Sequence, residues 1–254
     1  MTGKITTNNY EDMMRYKTSV IELLLLTLLL IIPITSCSND KLEDYDGNVY
    51  EIVQIGNQTW MAENLKVTHY RDGTPIPNIT EWQRWQKLST GAYAVYENNE
   101  KYAQTYGYLY NWYAATDVRN IAPRGWHVPT DAEWKELEMT LGMSQSEVNI
   151  RRYRGTNEGS KLASNAILWE KGRKSGDLEF DSEFGTSGFN ALPGGSRRDW
   201  DGFFLDMGSQ AEFWTATEIP NNGAYNRLIL YNYTGITRGI ETLRTGFPIR
   251  LVKD

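Results

Sequence analysis

The residues best suited to hold a ligand surround one tryptophan in the last quarter of the chain. The segment reads Arg197-Arg198-Asp199-Trp200-Asp201, and Asn221-Asn222 follows it. An indole ring can stack on the face of a sugar, while guanidinium, carboxylate and amide groups bond to its hydroxyls. The sequence therefore predicts a ligand-binding loop made of Arg197, Arg198, Asp199, Trp200, Asp201, Asn221 and Asn222. The alternative is a hairpin tip whose tryptophan packs back on the domain, because most tryptophans are largely buried.

Residues suited to metal binding or catalysis form no motif with the required spacing. His69 and His127 are the only histidines, and they lack Cys/His partners at zinc spacing. Asp199, Asp201 and Asp206 could offer oxygen ligands to calcium, but their spacing is not that of a calcium loop, so a solvated loop is favoured. Two carboxylates about 5–10 Å apart would permit glycoside hydrolysis, a distance that sequence alone does not reveal. We expect a non-enzymatic protein without cofactor or metal.

Composition and charge narrow the choice of partner. The chain has 254 residues and a net charge of −6, which argues against nucleic acid because phosphate neutralisation dominates such binding. It also has nine tryptophans and 16 tyrosines, a number that suits either a packed aromatic core or a sugar-binding surface. We expect a glycan or another surface protein as partner.

The first 36 residues are typical of an exported lipoprotein. Arg15 and Lys17 precede an apolar run over residues 23–34, which is too short for a spanning helix of about 20 residues. The run fits a signal peptide, and a start at Met13 or Met14 would give it a conventional basic beginning. It ends in Ile34-Thr35-Ser36-Cys37, which resembles a lipobox. An uncut signal anchor is the alternative interpretation.

These features predict three segments: a signal peptide over residues 1–36, a polar tether over 37–45 and one domain over 46–254. Cys37 is the only cysteine, and we expect it to carry the lipid that attaches the protein to the outer membrane, with the domain at the cell surface. Intramolecular disulfides are therefore excluded, so core burial alone must stabilise the domain.

One helix is predicted more strongly than any other element. Thr130 and Glu133 have the spacing of a capping box, in which the hydroxyl and the carboxylate each bond to an unpaired backbone N–H of the first turn. Gly142 suits the position after the helix end. The apolar residues between them follow helical spacing and are Trp134, Leu137 and Leu141.

The remaining chain predicts short strands, turns and two further short helices. A hairpin is predicted over residues 49–61, with Gly56-Asn57 as its turn. Ser144 and Glu147 form a second capping-box pattern, which predicts a helix to about Arg152, and a short buried helix is predicted around Trp112. Further strands are predicted over residues 91–96, 211–218, 225–231 and 246–253.

Several sequence blocks resemble known families. Val128-Pro129-Thr130-Asp131-Ala132-Glu133-Trp134 is similar to the helix start of the formylglycine-generating enzymes. The longer resemblance, from Asp46 to Asp254, is to the Fibrobacter succinogenes major paralogous domain, which is common in Bacteroidetes surface lipoproteins. It rests on blocks that occur in the same order, which are residues 46–50, 56–65, 110–114, 125–137, 188–195, 213–218 and 246–250.

This resemblance implies a C-type-lectin-like α+β fold, in which short helices pack on small antiparallel sheets with long loops. It also implies that the N- and C-terminal strands pair. Enzymatic and calcium-dependent activities do not follow from it. The paired cysteines of the formylglycine-generating enzymes are absent, and so are the Glu-Pro-Asn and Gln-Pro-Asp motifs of calcium-dependent lectins.

Three hypotheses follow. The first is a lipid-anchored surface module that binds a glycan or protein without catalysis. The second is a structural or adhesive envelope protein without a small ligand. The third is a polysaccharide hydrolase, which requires two carboxyls that converge in a cleft.

Overall fold

The computed structural model describes residues 41–172 and 176–254, and these residues fold into a mixed α/β structure of short helices and small antiparallel sheets. The predicted signal peptide over residues 1–36 and the predicted lipidation site Cys37 lie outside the described residues. In the part of the chain that is described, no helix has the length and apolar character needed to cross a membrane.

The helices are short and are separated by long stretches of strand and loop. They are α1 Trp82–Trp85, α2 Ala103–Tyr106, α3 Trp112–Ala115, α4 Asp131–Thr140 and α5 Glu158–Leu162. The strands are β1 Leu42–Glu43, β2 Val49–Tyr50, β3 Ile52–Ile55, β4 Gln58–Met61, β5 Tyr93–Ala94, β6 Leu109–Tyr110, β7 Trp126–His127, β8 Arg152–Arg154, β9 Gly194–Arg197, β10 Phe204–Met207, β11 Gln210–Ile219, β12 Gly223–Leu230, β13 Tyr233–Glu241 and β14 Val252–Lys253. Short 3-10 turns lie at Tyr96–Asn98, Glu100–Tyr102, Ala166–Leu168 and Leu178–Phe180.

The predicted hairpin and the last strand meet in one sheet with the order β3-β4-β14-β7. The predicted hairpin is confirmed, since β3 and β4 pair around Gly56. On the last strand, Val252 lies opposite Trp60 on one side and His127 on the other. The C-terminal strand therefore pairs with the second strand of the hairpin, whereas the resemblance implied pairing with the first.

The folded domain also begins earlier than Asp46. Strand β1 pairs with β2, with Leu42 opposite Tyr50. The Leu42 side chain is only 4% exposed and belongs to the main hydrophobic cluster. The last residues of the predicted tether are therefore part of the fold, because an apolar residue and a strand pairing hold them there.

Helix α4 has the ends that its sequence predicts. The Thr130 hydroxyl accepts from the Glu133 N–H at 3.3 Å, and the Glu133 carboxylate accepts from the Thr130 N–H at 2.7 Å. Gly142 follows the C-cap residue with a positive φ of 121°. The buried side of the helix packs Trp134 against Trp60, Phe189 and Phe213.

The second predicted capping box does not begin a helix. The Ser144 hydroxyl and Glu147 do exchange hydrogen bonds, at 2.7 and 3.3 Å, but they close only a turn. The prediction of a helix to Arg152 is wrong, because β8 begins there and pairs with β13. The helix predicted around Trp112 is α3, which begins after Asn111 caps it.

The largest sheet has the order β11-β12-β13-β8 and positions the candidate site. Side chains alternate between its two faces. On the face toward α4, here called the helix face, Phe213, Ile229 and Ile236 join a hydrophobic cluster with Trp134. The opposite face, here called the groove face, carries Glu212 and Asn226.

Candidate functional site

The predicted ligand-binding loop joins β9 to β10 and presents its tryptophan to solvent. The Trp200 side chain is 64% exposed, so it does not pack back on the domain. The Arg198 guanidinium lies 4.7 Å from the centre of the indole ring. Arg198 is also ion-paired with Asp201, with its Nε 2.9 Å from Oδ1. These three residues form an exposed aromatic and polar surface.

Arg197 and Asp199 support this loop from inside and are not at the surface. Arg197 is fully buried, and its guanidinium donates to the carbonyls of Ile79, Thr80 and Gly202. Burial lowers the pKa of Arg197 to about 10. Asp199 is 6% exposed and lies 3.6 Å from the Arg244 guanidinium. Both residues therefore stabilise the loop from inside. The sequence had predicted that they contact a ligand, and this prediction is wrong because both are buried.

Asn221 and Asn222 lie in a different part of the molecule, the turn between β11 and β12. Asn221 has a φ of 64°, a conformation that asparagine adopts more easily than most residues. The Asn222 amide donates to the Pro220 carbonyl at 3.3 Å. Neither residue lines the depression beside Trp200. Of the seven predicted residues, the structure brings together only Arg198, Trp200 and Asp201 at the surface.

A depression of about 160 Å³ lies beside Trp200, and we call it the tryptophan groove. Carboxyl groups from three strands, β10, β11 and β13, meet in it. The residues that line it include Ser196, Arg198, Trp200, Asp206, Glu212 and Glu241.

A second, larger cavity of about 330 Å³ lies on the groove face of the main sheet, and we call it the sheet cavity. Its volume is at the lower end of the range of about 300–1,000 Å³ typical of small-molecule sites. Glu212 and Glu241 line both depressions, so the two meet at this carboxyl pair. Its lining also includes Arg151, Arg152, Asn226, Thr237 and Arg238.

Glu212 has an unusual environment for a carboxyl group. Its side chain is 7% exposed, and among the described residues it accepts one hydrogen bond, from the Asn226 amide at 3.3 Å. Burial, together with the negative charges of Glu241 and Asp206, raises the pKa of Glu212 to about 8. Burial also raises the pKa values of Glu241 and Asp206. The site therefore concentrates carboxyl groups, and the Arg198 charge only partly offsets the effect of burial on Asp206.

Sequence reasoning did not identify Glu212 or Glu241. One signal was present, because Glu212 interrupts the apolar strand segment Ala211-Glu212-Phe213-Trp214. A charged residue in the middle of a buried strand requires a partner or a function. The proximity of Glu212 to Glu241 at the end of β13 could not be predicted from the sequence, because β13 itself was not predicted.

The groups considered for metal binding lie apart. Asp201 is paired with Arg198, while Asp199 faces Arg244. Within the described ranges, no three His, Cys, Asp or Glu side chains are grouped in a way that could hold a metal ion. His127 lies 2.6 Å from Glu133 and 2.6 Å from Asp254, and so joins the last residue to α4.

Comparison with known families gives one match. The sequence profile of the Fibrobacter succinogenes major domain matches residues 53–253, which include both depressions. Neither the curated proteins nor the solved structures give a significant match to the chain.

Proposed function

The chain belongs to the Fibrobacter succinogenes major domain family, and from this premise we propose that it is a binding module that recognises a glycan at the tryptophan groove without catalysis. We also propose a C-type-lectin-like fold. Two features support it: the last strand shares a sheet with the hairpin β3–β4, and part of the groove lining, Arg198 and Trp200, lies on the loop between β9 and β10.

The observation that carries the proposal is the environment of Trp200. A large aromatic side chain that is 64% exposed, on a loop fixed from inside by Arg197, leaves apolar area uncovered. Hydrogen-bonding groups of both kinds surround it: Arg198 donates, while Asp206 and Glu241 offer oxygens. A sugar has an apolar face for the ring and hydroxyls for these groups.

The test is a glycan array followed by titration calorimetry on the best ligand, with Trp200→Ala as the variant. We expect this change to weaken binding at least tenfold, which corresponds to about 1.4 kcal/mol. Folding stability should stay within about 0.5 kcal/mol, because the ring is exposed. Phe180→Ala removes another aromatic side chain that is 58% exposed and serves as the matched control.

Two outcomes would overturn the proposal. An array on which no glycan binds removes the ligand class. Equal affinity of the wild type and Trp200→Ala for a glycan that does bind would place the contact elsewhere on the protein.

A second candidate, polysaccharide hydrolysis, is favoured by the convergence of Glu212 and Glu241 at one site. A carboxyl with a raised pKa can serve as a general acid. Hydrolysis also needs an ionised partner, and burial together with the Asp199 charge raises the pKa of Glu241 as well. Binding is therefore the better-supported function. Release of reducing ends from a polysaccharide, abolished in both Glu212→Gln and Glu241→Gln, would reverse this order.

We further propose that Cys37 carries a lipid that anchors the module to the outer membrane, where the groove faces outward. The lipobox-like sequence before Cys37 supports this attachment. Labelling cells with a radioactive fatty acid should mark the wild type and not Cys37→Ala. A labelled Cys37→Ala protein would contradict the proposed attachment point.

A further inference from the structure

We propose that the sheet cavity binds a primary ammonium group, and that this group belongs to an amino sugar. The first part rests on the cavity alone. The second part rests on the proposed glycan-binding function.

The cavity contains buried hydrogen-bond acceptors that lack a donor. Asn226 is 3% exposed, and its Oδ1 has no partner in the described structure. The same holds for the Thr237 hydroxyl. Glu212, also buried, receives a single amide N–H, that of Asn226, from the part of the chain that the structure describes. Buried polar groups in proteins are usually satisfied, so unpartnered ones beside a cavity are sites where a water or a ligand donates a hydrogen bond.

The group that binds here should be a hydrogen-bond donor with positive charge. An ammonium has three donors and no acceptor, which matches the Asn226, Thr237 and Glu212 oxygens. A neutral hydroxyl would supply one donor and add acceptors of its own. A positive charge would also relieve the repulsion between Glu212 and Glu241, which line the same cavity.

Nearby arginines do not provide this charge. Arg238 donates twice to the Asp131 carboxylate, at 2.8 Å each, and once to the Asn149 carbonyl. Its guanidinium is therefore committed to the helix face. Arg151 and Arg152 line the cavity from its rim, but both are exposed, so solvent screens their charge.

An inorganic cation is a poorer occupant than an ammonium. Metal ions such as calcium require six or more oxygen ligands. The described residues offer no grouping of three acidic or histidine side chains that could hold one. The amide and hydroxyl acceptors suit the directional N–H bonds of an ammonium instead.

The position of the cavity connects it to the proposed sugar site. Glu212 and Glu241 line both the sheet cavity and the tryptophan groove. A saccharide against Trp200 therefore borders the carboxyl pair that an amino substituent would contact. This arrangement selects an amino sugar over its neutral or N-acetylated counterpart.

Binding should also displace a proton. An ammonium beside Glu212 favours the ionised carboxylate, whereas burial in the free protein raises the pKa of this group. The charged residues that line the same two depressions as Glu212 are Asp206 on β10, Glu241 and Arg238 on β13, Arg152 at the start of β8 with Arg151 just before it, and Arg198 in the loop after β9.

The experiment is titration calorimetry of the full chain at pH 7 with four probes: glucosamine, N-acetylglucosamine, glucose and n-propylammonium chloride. We expect glucosamine to bind at least tenfold more tightly than either other sugar. Repeating the titration in buffers with different ionisation enthalpies should reveal proton release. Glu212→Gln should abolish both the preference and the proton release.

Glu218→Gln is the matched control, because Glu218 is exposed on the same strand. It should bind as the wild type does. Thr237→Val removes one acceptor without changing shape and keeps the test valid if Glu212→Gln fails to fold. It should weaken glucosamine binding several-fold.

The outcomes separate this inference from the glycan proposal. Equal affinity for glucosamine, N-acetylglucosamine and glucose would overturn the ammonium site and leave glycan binding intact. Binding of n-propylammonium that depends on Glu212, with no sugar bound, would support the ammonium site and overturn the amino-sugar assignment. No binding of either amine would overturn the inference.

Discussion

The two faces of the main sheet differ in how many hydrogen bonds and positive charges compensate a buried carboxyl group. On the helix face, Glu138 is fully buried and accepts hydrogen bonds from Arg154 at 2.8 Å and from Arg227 at 2.5 Å. On the groove face, Glu212 is also buried but receives one amide hydrogen bond. Arg227 and Asn226 are neighbours on β12, so adjacent residues supply the two environments.

This difference distinguishes carboxylates that stabilise the fold from a carboxyl group that is a candidate to bind a ligand. Burial raises the pKa of Asp131 on the helix face, but the Arg238 hydrogen bonds and the Arg227 charge outweigh it and hold that pKa well below its usual range. Glu212 has no such partner, and burial raises its pKa. A satisfied buried carboxylate fixes the position of α4, while an unsatisfied one is available to a ligand.

The largest expected change in stability comes from a substitution in the ion cluster on the helix face. Glu138→Gln removes the carboxylate between Arg154 and Arg227 and leaves two buried guanidinium groups with one fewer anion. We expect the free energy of unfolding to fall by about 3–5 kcal/mol, the usual cost of breaking a buried pair. Chemical denaturation measures it. Glu136→Gln, at an exposed position on the same helix, should change stability by less than about 0.5 kcal/mol.

The next largest change in stability concerns Glu212 on the groove face, where a substitution is expected to stabilise the protein at high pH. The pKa of Glu212 rises to about 8 in the folded state from an ordinary value near 4.5, so the folded protein holds a proton that the unfolded chain releases. Its stability contribution is complete below pH 4.5 and is lost as the pH rises through 8.

Glu212→Gln should remove this loss. We expect the variant to exceed the wild type at pH 9 by about 1 kcal/mol or more, since one pKa unit corresponds to about 1.4 kcal/mol. The two proteins should converge at about pH 4, below the unfolded-state pKa. Denaturation curves at both pH values test this, and a wild type that is the more stable protein at pH 9 would contradict it.

A smaller effect tests whether α4 depends on its cap as well as on the ion cluster. Thr130→Ala removes the hydroxyl that accepts from Glu133. We expect a loss of about 1 kcal/mol, the typical value for a helix N-cap. Thr130→Ser keeps the hydroxyl and should retain most of the stability. A Thr130→Ala protein as stable as the wild type would show that tertiary packing alone positions the helix.

The smallest effect comes from the exposed pairing at the chain end. Burial lowers the pKa of His127, but hydrogen bonds to Asp254 and Glu133 outweigh it and raise that pKa above 6.5. The stabilisation is therefore complete below pH 6.5 and is lost as the pH rises through the folded-state pKa. We expect less than about 1 kcal/mol, because the pair is partly solvated. The melting temperature between pH 6 and 9 should show this step in the wild type and not in His127→Gln.

Local patterns made part of the fold predictable. The ends of α4 follow from Thr130, Glu133 and Gly142, which act within a few residues of each other. The β3–β4 hairpin follows from alternation around Gly56. Strand β8 was missed because Arg152 has a φ of 71° and its pairing with β13 joins residues more than 80 positions apart, which no local pattern encodes.

The candidate site was likewise predictable only where its residues are close together in the sequence. Trp200 was identified because arginine and aspartate residues accompany it in sequence; the ring is exposed, although most tryptophans are largely buried. Arg197 was assigned to the ligand although its guanidinium bonds to the carbonyls of Ile79 and Thr80, more than 100 positions away. Glu212 and Glu241 meet only after β11, β12 and β13 pair, so their joint role needed the structure.

The most direct test of the contrast between the two faces is an NMR titration of the Glu212 side-chain carboxyl carbon, assigned with Glu212→Gln. The account predicts a midpoint near pH 8 in the free protein. It also predicts a lower midpoint when glucosamine is bound. A midpoint near 4.5 without ligand would contradict it, because Glu212 would then be as well compensated as the carboxylates of the helix face.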